Sequence, residues 1–187
     1  MNYGLDGRVV VITGAGSGIG LTTCRVVLEE GGSVVAGDLD PSAAAALSDA
    51  VTPVTVDLST AAGAEQLISA AIEARGSIDA LVNNVGTFPF RESFLAVSDA
   101  DWDALMAVNF YSMVRACRAA LPHMVEQGRG AIVSVASDVG RAPDRFFVDY
   151  SVSKAAVLML SKAISIDPAK WFGVDPLVSV ADCTDPD

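Results

Sequence analysis

The chain has 187 residues, 51% of them hydrophobic, which is enough for one domain with a substantial core. A formal net charge of −11 lacks the basic footprint that displaces counterions from phosphates, which argues against a general nucleic-acid-binding role. No apolar run reaches the roughly 18 residues of a membrane-spanning helix.

The first eight residues hold no basic region followed by an apolar run, so no secretory leader is expected there. Three cysteines without paired spacing fit free thiols in a reducing compartment, and with one histidine no metal site is expected. These features together lead to the expectation of a cytoplasmic protein with no membrane contact.

In chain order, short β-branched runs alternate with helical patterns. Strands are predicted at Arg8–Thr13, Ser33–Gly37, Val54–Val56, Ala80–Asn83 and Ala131–Val135. Their almost uninterrupted apolar character suits strands covered on both faces. Helices are predicted near 18–30, 41–49, 60–75, 98–127 and 149–166. Gly31-Gly32 ends the first helix, Asp40-Pro41 opens the second, and Ser98 with Asp101 caps the fourth, which runs out at Gly128. Pro122 is expected to kink or divide that fourth helix. This alternation predicts an α/β fold: a Rossmann-type, doubly wound parallel sheet in a three-layer α/β/α single domain, spanning 1–187.

Directly after the first strand stands Thr13-Gly14-Ala15-Gly16-Ser17-Gly18-Ile19-Gly20. The spacing is G-x-x-x-G-x-G at Gly14, Gly18 and Gly20, not the commoner G-x-G-x-x-G. The physical purpose is the same. Missing side chains let the backbone approach a pyrophosphate, and the following helix aims its N-terminal amides at it. Asp38, 18 residues beyond Gly20, ends the second strand, where a carboxylate accepts hydrogen bonds from an adenosine ribose and repels a 2′-phosphate. No lysine or arginine lies in the glycine turn or just after Asp38 to offset that repulsion, so NAD is expected in preference to NADP.

Further motifs follow in order: Asp57, Asn83-Asn84-Val85-Gly86, Asn109, Ser137 and Tyr150-Ser151-Val152-Ser153-Lys154. With the glycine turn they make the chain resemble the classical short-chain dehydrogenases/reductases, from about Gly7 to Ala163. Tyr150 and Lys154 are i and i+4, on one face of a predicted helix. A free phenol titrates near ~10 and is a poor base at neutral pH. An ammonium at ~4 Å, in an effective dielectric of ~20, favours the phenolate by on the order of 4 kcal/mol, enough to bring the hydroxyl down towards neutrality.

The resemblance implies roles for these positions. Tyr150 is the acid/base, Ser137 orients the substrate oxygen, Lys154 assists Tyr150 and holds the nicotinamide ribose, and Asn109 supports a water-mediated proton path behind Lys154. It also implies that Gly14, Ser17, Gly18, Ile19, Gly20, Asp38, Asp57, Leu58, Asn84, Gly86, Tyr150 and Lys154 line the dinucleotide site. Val85 stands where the family more often has alanine. The implied reaction is hydride transfer between NAD(H) and a secondary alcohol or ketone.

Past Ala163 the family pattern fades. Asp167-Pro168 is expected to stop the catalytic helix, Gly173-Val174 to precede a strand at Leu177–Ala181, and Val180-Ala181-Asp182 replaces the family's Pro-Gly turn. The segment 166–187 is therefore read as divergent or truncated, without the last family strand and the usual substrate lid. This leaves an alternative open, a dinucleotide-binding protein with little or no turnover. Phe88, Phe90, Phe94, Phe146 and Phe147 suggest an apolar or cyclic substrate, while Arg91, Arg141 and Arg145 either meet an anionic group or are solvated. In the family the fourth helix and the catalytic helix often pair subunits, so a homodimer or homotetramer is expected.

Overall fold

The structure is a computed structural model that describes residues 3–166 and the strand at 177–181. Six parallel strands lie in the order β3-β2-β1-β4-β5-β6: β1 Val9–Thr13, β2 Ser33–Asp38, β3 Val51–Thr55, β4 Ala80–Asn83, β5 Ala131–Val135 and β6 Leu177–Ala181. The connecting helices are α1 Gly18–Glu29, α2 Ser42–Ala45, α3 Ala61–Arg75, α4 Asp99–Met106, α5 Ser112–Glu126 and α6 Val148–Ser165.

Strand alternation explains the layering. Val9, Val11, Val35, Leu81 and Ile132 face one side and pack with Leu67 and Ile68 of α3, Met113, Cys117 and Met124 of α5, and Val157 of α6. Val10, Ile12, Val34, Ala36 and Val82 face the other side, against Cys24 and Val27 of α1 and Ala44 of α2. With both faces buried, the strands are mainly apolar, hence the valine-rich runs, and the few buried polar residues such as Thr13, Asn83 and Ser134 are hydrogen-bonded.

The expected three-layer parallel fold is therefore present, with three local differences. The third strand begins at Val51 rather than Val54, and Pro53 pairs within it opposite Ala36. A proline lacks the N–H a ladder needs, but β3 is the edge strand and Pro53 is exposed, so its missing donor costs no interior bond. The second helix shrinks to four residues, because Ser48 and Ala50 turn the chain back: Ala50 N–H donates to Ser48 Oγ and Val51 N–H to the Ser48 carbonyl.

The long fourth helix is divided, but not at Pro122. The break is a π-helical turn at Ala107–Tyr111, while α5 runs on through Pro122 to Glu126. A single wide turn re-aims a side chain without ending the helix, and the side chain aimed inwards here is Asn109. The other boundaries follow their signals. Ser98 and Asp101 form a reciprocal capping box on α4, and Gly31, Gly76 and Gly128 all take positive φ just past helix ends.

Helix α6 ends at Ser165, just before Asp167-Pro168, and Leu177–Ala181 pairs with β5 as the expected sixth strand. The stop at Asp167-Pro168, Gly173-Val174 and any strand beyond Ala181 lie outside the described residues.

Candidate active site

The strand order reverses between β1 and β4, and a crevice opens there at the carboxyl ends of the strands. A cleft of about 680 Å³ occupies it, within the usual range for cofactor and ligand sites. It is lined by Gly14, Ser17, Gly18 and Ile19 at one end, Asp38, Asp57 and Leu58 beside them, and Ser137, Tyr150 and Lys154 at the other, with Asn84 and Gly86 between. Gly20 and Asn109 lie just behind the lining residues.

At the first end the backbone does the work. Gly14 has φ +67°, and a Cβ on Gly20 would sit 2.0 Å from the Gly14 carbonyl oxygen, so neither position has room for a side chain. The Asn84 amide donates to the carbonyls of Thr13 (3.1 Å) and Gly14 (3.0 Å), and the Thr13 hydroxyl accepts from the backbone of Asn84 and Val85. Asn84 thus holds the glycine turn against the loop after β4. The first turn of α1 carries no acidic residue to oppose an anion at its N-terminus.

Asp38 is tied on both oxygens: Oδ2 accepts from Gly16 N–H at 2.9 Å and Oδ1 from Asp40 N–H at 3.0 Å. Gly16 lay outside the G-x-x-x-G-x-G count, yet a Cβ there would meet the Asp40 carbonyl at 2.3 Å. Its signal was available in the sequence as one more glycine in the turn. Asp57 accepts from Ser59 N–H, and hydrogen bonding from the Ser59 hydroxyl, then from its backbone, holds its carboxyl below the ordinary range, so it stays ionised at the cleft wall.

At the other end side chains converge from three elements. Ser137 follows β5, and Tyr150 and Lys154 lie on the first turns of α6. Lys154 is buried, its Nζ donating to the Val135 carbonyl at 2.8 Å and lying 5.7 Å from the centre of the Tyr150 ring. Asn109 is 2% exposed. Its side chain pairs with both backbone groups of Thr87 at 2.8 Å and donates to Ser153 Oγ at 3.1 Å; that hydroxyl in turn donates to the Tyr150 carbonyl. A second cavity of about 10 Å³ lies behind Lys154, lined by Asn83, Asn109 and Ser112 among others, close to the smallest volume that holds one water.

Two acidic residues in this region carry no role in the sequence reading, and Arg91 takes a different one from the anion or solvent contact expected of it. Asp138 accepts from Ser137 Oγ at 3.1 Å. Asp149, fully buried, accepts from Tyr150 N–H at 3.0 Å and pairs with Arg91 at 2.7 Å. Arg91 therefore neither faces a substrate anion nor projects into solvent, and Arg145 lies over the Phe146 ring at 4.3 Å. No spacing rule links position 91 to position 149; only the fold does.

The model of the short chain dehydrogenase family matches residues 8–175. The chain belongs to that family. Among its relatives, 2-keto-3-deoxy-L-fuconate dehydrogenase of Xanthomonas campestris is 39% identical over 172 residues, covering 89% of this chain and 55% of the relative. A short-chain dehydrogenase/reductase from Burkholderia phymatum, solved in complex with NAD, superposes with a TM-score of 0.90 at 30% identity, covering 96% of this chain and 66% of that one. The 3-ketoacyl-(acyl-carrier-protein) reductase from Brucella melitensis, complexed with NADH, gives 0.87 at 30% identity, over 94% and 75% of the two chains. The chain spans 55% of the length of that Xanthomonas dehydrogenase and 60% to 69% of the length of other curated relatives it matches.

Proposed function

We propose that this chain is an NAD(H)-dependent oxidoreductase acting on a secondary alcohol or ketone, with Tyr150 as its acid/base. The observation that carries this reading is that one cleft joins the glycine turn and Asp38 to Ser137, Tyr150 and Lys154. The residues fit a dinucleotide: the glycine turn is a cradle that Cβ atoms would fill, and Asp38 presents an ionisable carboxylate beside it. NAD, when bound, supplies the hydride acceptor, and NADH the donor. Asp38 favours NAD over NADP, because a 2′-phosphate would meet its charge.

The chain's own groups handle the proton. Tyr150 takes it from the substrate hydroxyl in oxidation and returns it to the carbonyl oxygen in reduction. Ser137 hydrogen-bonds that oxygen as charge develops on it. Lys154 places a cation beside the Tyr150 ring, favouring the phenolate. Asn109 fixes the Thr87 backbone and, through Ser153, the Tyr150 carbonyl, and it borders the small cavity through which a water would relay protons.

Phe88 lies 6.1 Å from the Tyr150 ring and is 71% exposed, and Phe147 lies 6.5 Å away on another side. An apolar or cyclic substrate suits this aromatic wall.

The test is turnover with NAD across a panel of secondary alcohols, with Tyr150→Phe alongside. Tyr150→Phe is expected to lose about 10²–10⁴-fold in kcat, the usual weight of general acid–base catalysis, while NADH affinity holds within about threefold. Unchanged turnover in that variant would remove Tyr150 from its role.

The second reading, cofactor binding with little turnover, is favoured by one observation: Phe88, which lines the cleft beside Tyr150, is 71% exposed, and an open site excludes water poorly. NADH fluorescence enhancement with no turnover on any panel member would establish it. Pairing into a homodimer or homotetramer is supported by an apolar groove of about 470 Å³ between α5 and α6, lined by Val114, Leu121, Val125, Leu160 and Ile164. Sedimentation of Val125→Glu, a partly exposed groove residue, against the unsubstituted chain checks it. The described thiols, Cys24 and Cys117, are both free and buried, which fits a reducing, cytoplasmic setting.

A further inference from the structure

The loop after β4 and the segment that leads into α6 are far apart in sequence and closely joined in space. Arg91 bridges them. Its Nη2 lies 2.7 Å and its Nε 2.9 Å from Asp149 Oδ2, and its Nη1 lies 2.9 Å from Asp101 Oδ1. The Arg91 backbone N–H donates to the Phe146 carbonyl at 2.8 Å. On either side of that bond the rings of Phe90 and Phe146 stack at 5.1 Å, and Phe90 meets Phe147 edge-on at 6.2 Å.

Each partner is itself anchored. Asp149 has no exposed surface and uses Oδ1 to accept the Tyr150 N–H. Asp101 is the third residue of α4 and completes the capping box with Ser98. Hydrogen bonding to Asp149 holds the guanidinium above the ordinary arginine range, opposed in part by desolvation and reinforced by Asp101. A planar guanidinium is suited to such a task, because its fork of N–H groups fixes direction as well as distance.

We propose that Arg91 is a positioning residue for Tyr150: by gripping the buried Asp149 it locks the loop after β4 onto the first turn of α6, and so fixes the phenol against the substrate-side wall. This rests on the reading of Tyr150 as acid/base. The glycine turn, Asp38 and Asn84 do not contact this ion pair, so the cofactor end is expected to be indifferent to it. Lysine at 91 would keep the charge but reach only one carboxylate at a time.

The experiment compares Arg91→Ala, Arg91→Lys, Asp149→Asn and Tyr150→Phe in two readouts. The first is oxidation of 1-phenylethanol with NAD, resolved into kcat and KM, with the NADH dissociation constant taken from fluorescence. The second is amide hydrogen exchange with NADH bound, which needs no turnover. Arg91→Ala is expected to raise exchange at the Arg91 amide and across 147–151 at least tenfold, leaving β1 and β2 unchanged. It should lower kcat at least tenfold, change KM only a few-fold, and keep NADH binding within twofold.

Arg91→Lys should recover part of kcat and of the protection. Asp149→Asn keeps the side-chain shape and one hydrogen bond, so it gives the same pattern in milder form if the alanine variant does not fold. Unchanged exchange at 147–151 in a folded variant would overturn the proposal, and so would NADH affinity falling in step with kcat. Full activity in Tyr150→Phe would instead overturn the acid/base reading, and the exchange result would stand apart from it.

Discussion

Around the glycine turn, backbone packs on backbone: Gly20 against the Gly14 carbonyl, Gly16 against the Asp40 carbonyl, and the Asn84 amide spanning two carbonyls of the turn. Around Tyr150, long side chains reach between segments: Arg91 to Asp149 and Asp101, Phe90 to Phe146 and Phe147, Phe88 to the phenol ring. The first kind of contact is short in range and tolerates almost no substitution. The second depends on which side chains the fold happens to bring together, so it can differ between relatives that share a cofactor and not a substrate. The glycine-turn end of the cleft is therefore held by close backbone contacts, and the end around Tyr150 by long side chains that only this fold brings together.

The sharpest way to break that comparison is Gly20→Ala. A methyl group 2.0 Å from the Gly14 oxygen and 2.6 Å from Asn84 Nδ2 cannot be accommodated without moving the turn. Overpacking of this kind costs about 1–3 kcal/mol of stability, and NADH affinity should fall by more than tenfold, which fluorescence titration and thermal unfolding read together. If both stay at their starting values, the turn is not the rigid cradle described.

Asp38→Ala probes the same end more gently. It removes the acceptor for Gly16 N–H and, on the proposed reading, an acceptor for a ribose and the charge that would face a 2′-phosphate. NADH affinity should drop by about tenfold, the scale of one charge-assisted hydrogen bond of ~1.5 kcal/mol, while NADPH affinity holds or rises. Tighter binding of NADPH than NADH by the unsubstituted chain would refute the role given to Asp38.

Legibility followed the same divide. Periodicity gave the doubly wound sheet, because strands buried on both faces are mainly apolar: Val9 to Ile12 is an example. The glycine turn and the Tyr150–Lys154 pair were legible because their chemistry is fixed by local spacing, i to i+4 on one helix or glycines within one turn. Pro53 hid half of β3, since tolerance of proline depends on the strand being an edge, which only the assembled sheet decides. Pro122 does not divide its helix, while the break at Ala107–Tyr111 carries no glycine or proline. Arg91 was read as a group for substrate or solvent because its partner lies 58 positions away.

Phe88→Ala is the mildest of the changes and the one that tests the substrate end alone. The ring is 71% exposed and touches the phenol side of the cleft edge, tilted 55° to Tyr150 at 6.1 Å. It has no contact with the glycine turn. An aromatic contact of this kind is worth about 0.5–1.5 kcal/mol, so KM for a cyclic or aryl alcohol should rise about two- to tenfold with kcat and NADH affinity nearly unchanged. A short, acyclic alcohol would not reach the ring, and its KM should not move. An equal rise for both classes would mean that Phe88 shapes the loop as a whole, and the specificity of the substrate end would then have to be sought in Phe147, which meets the Tyr150 ring, and Asp138, which accepts from Ser137 Oγ.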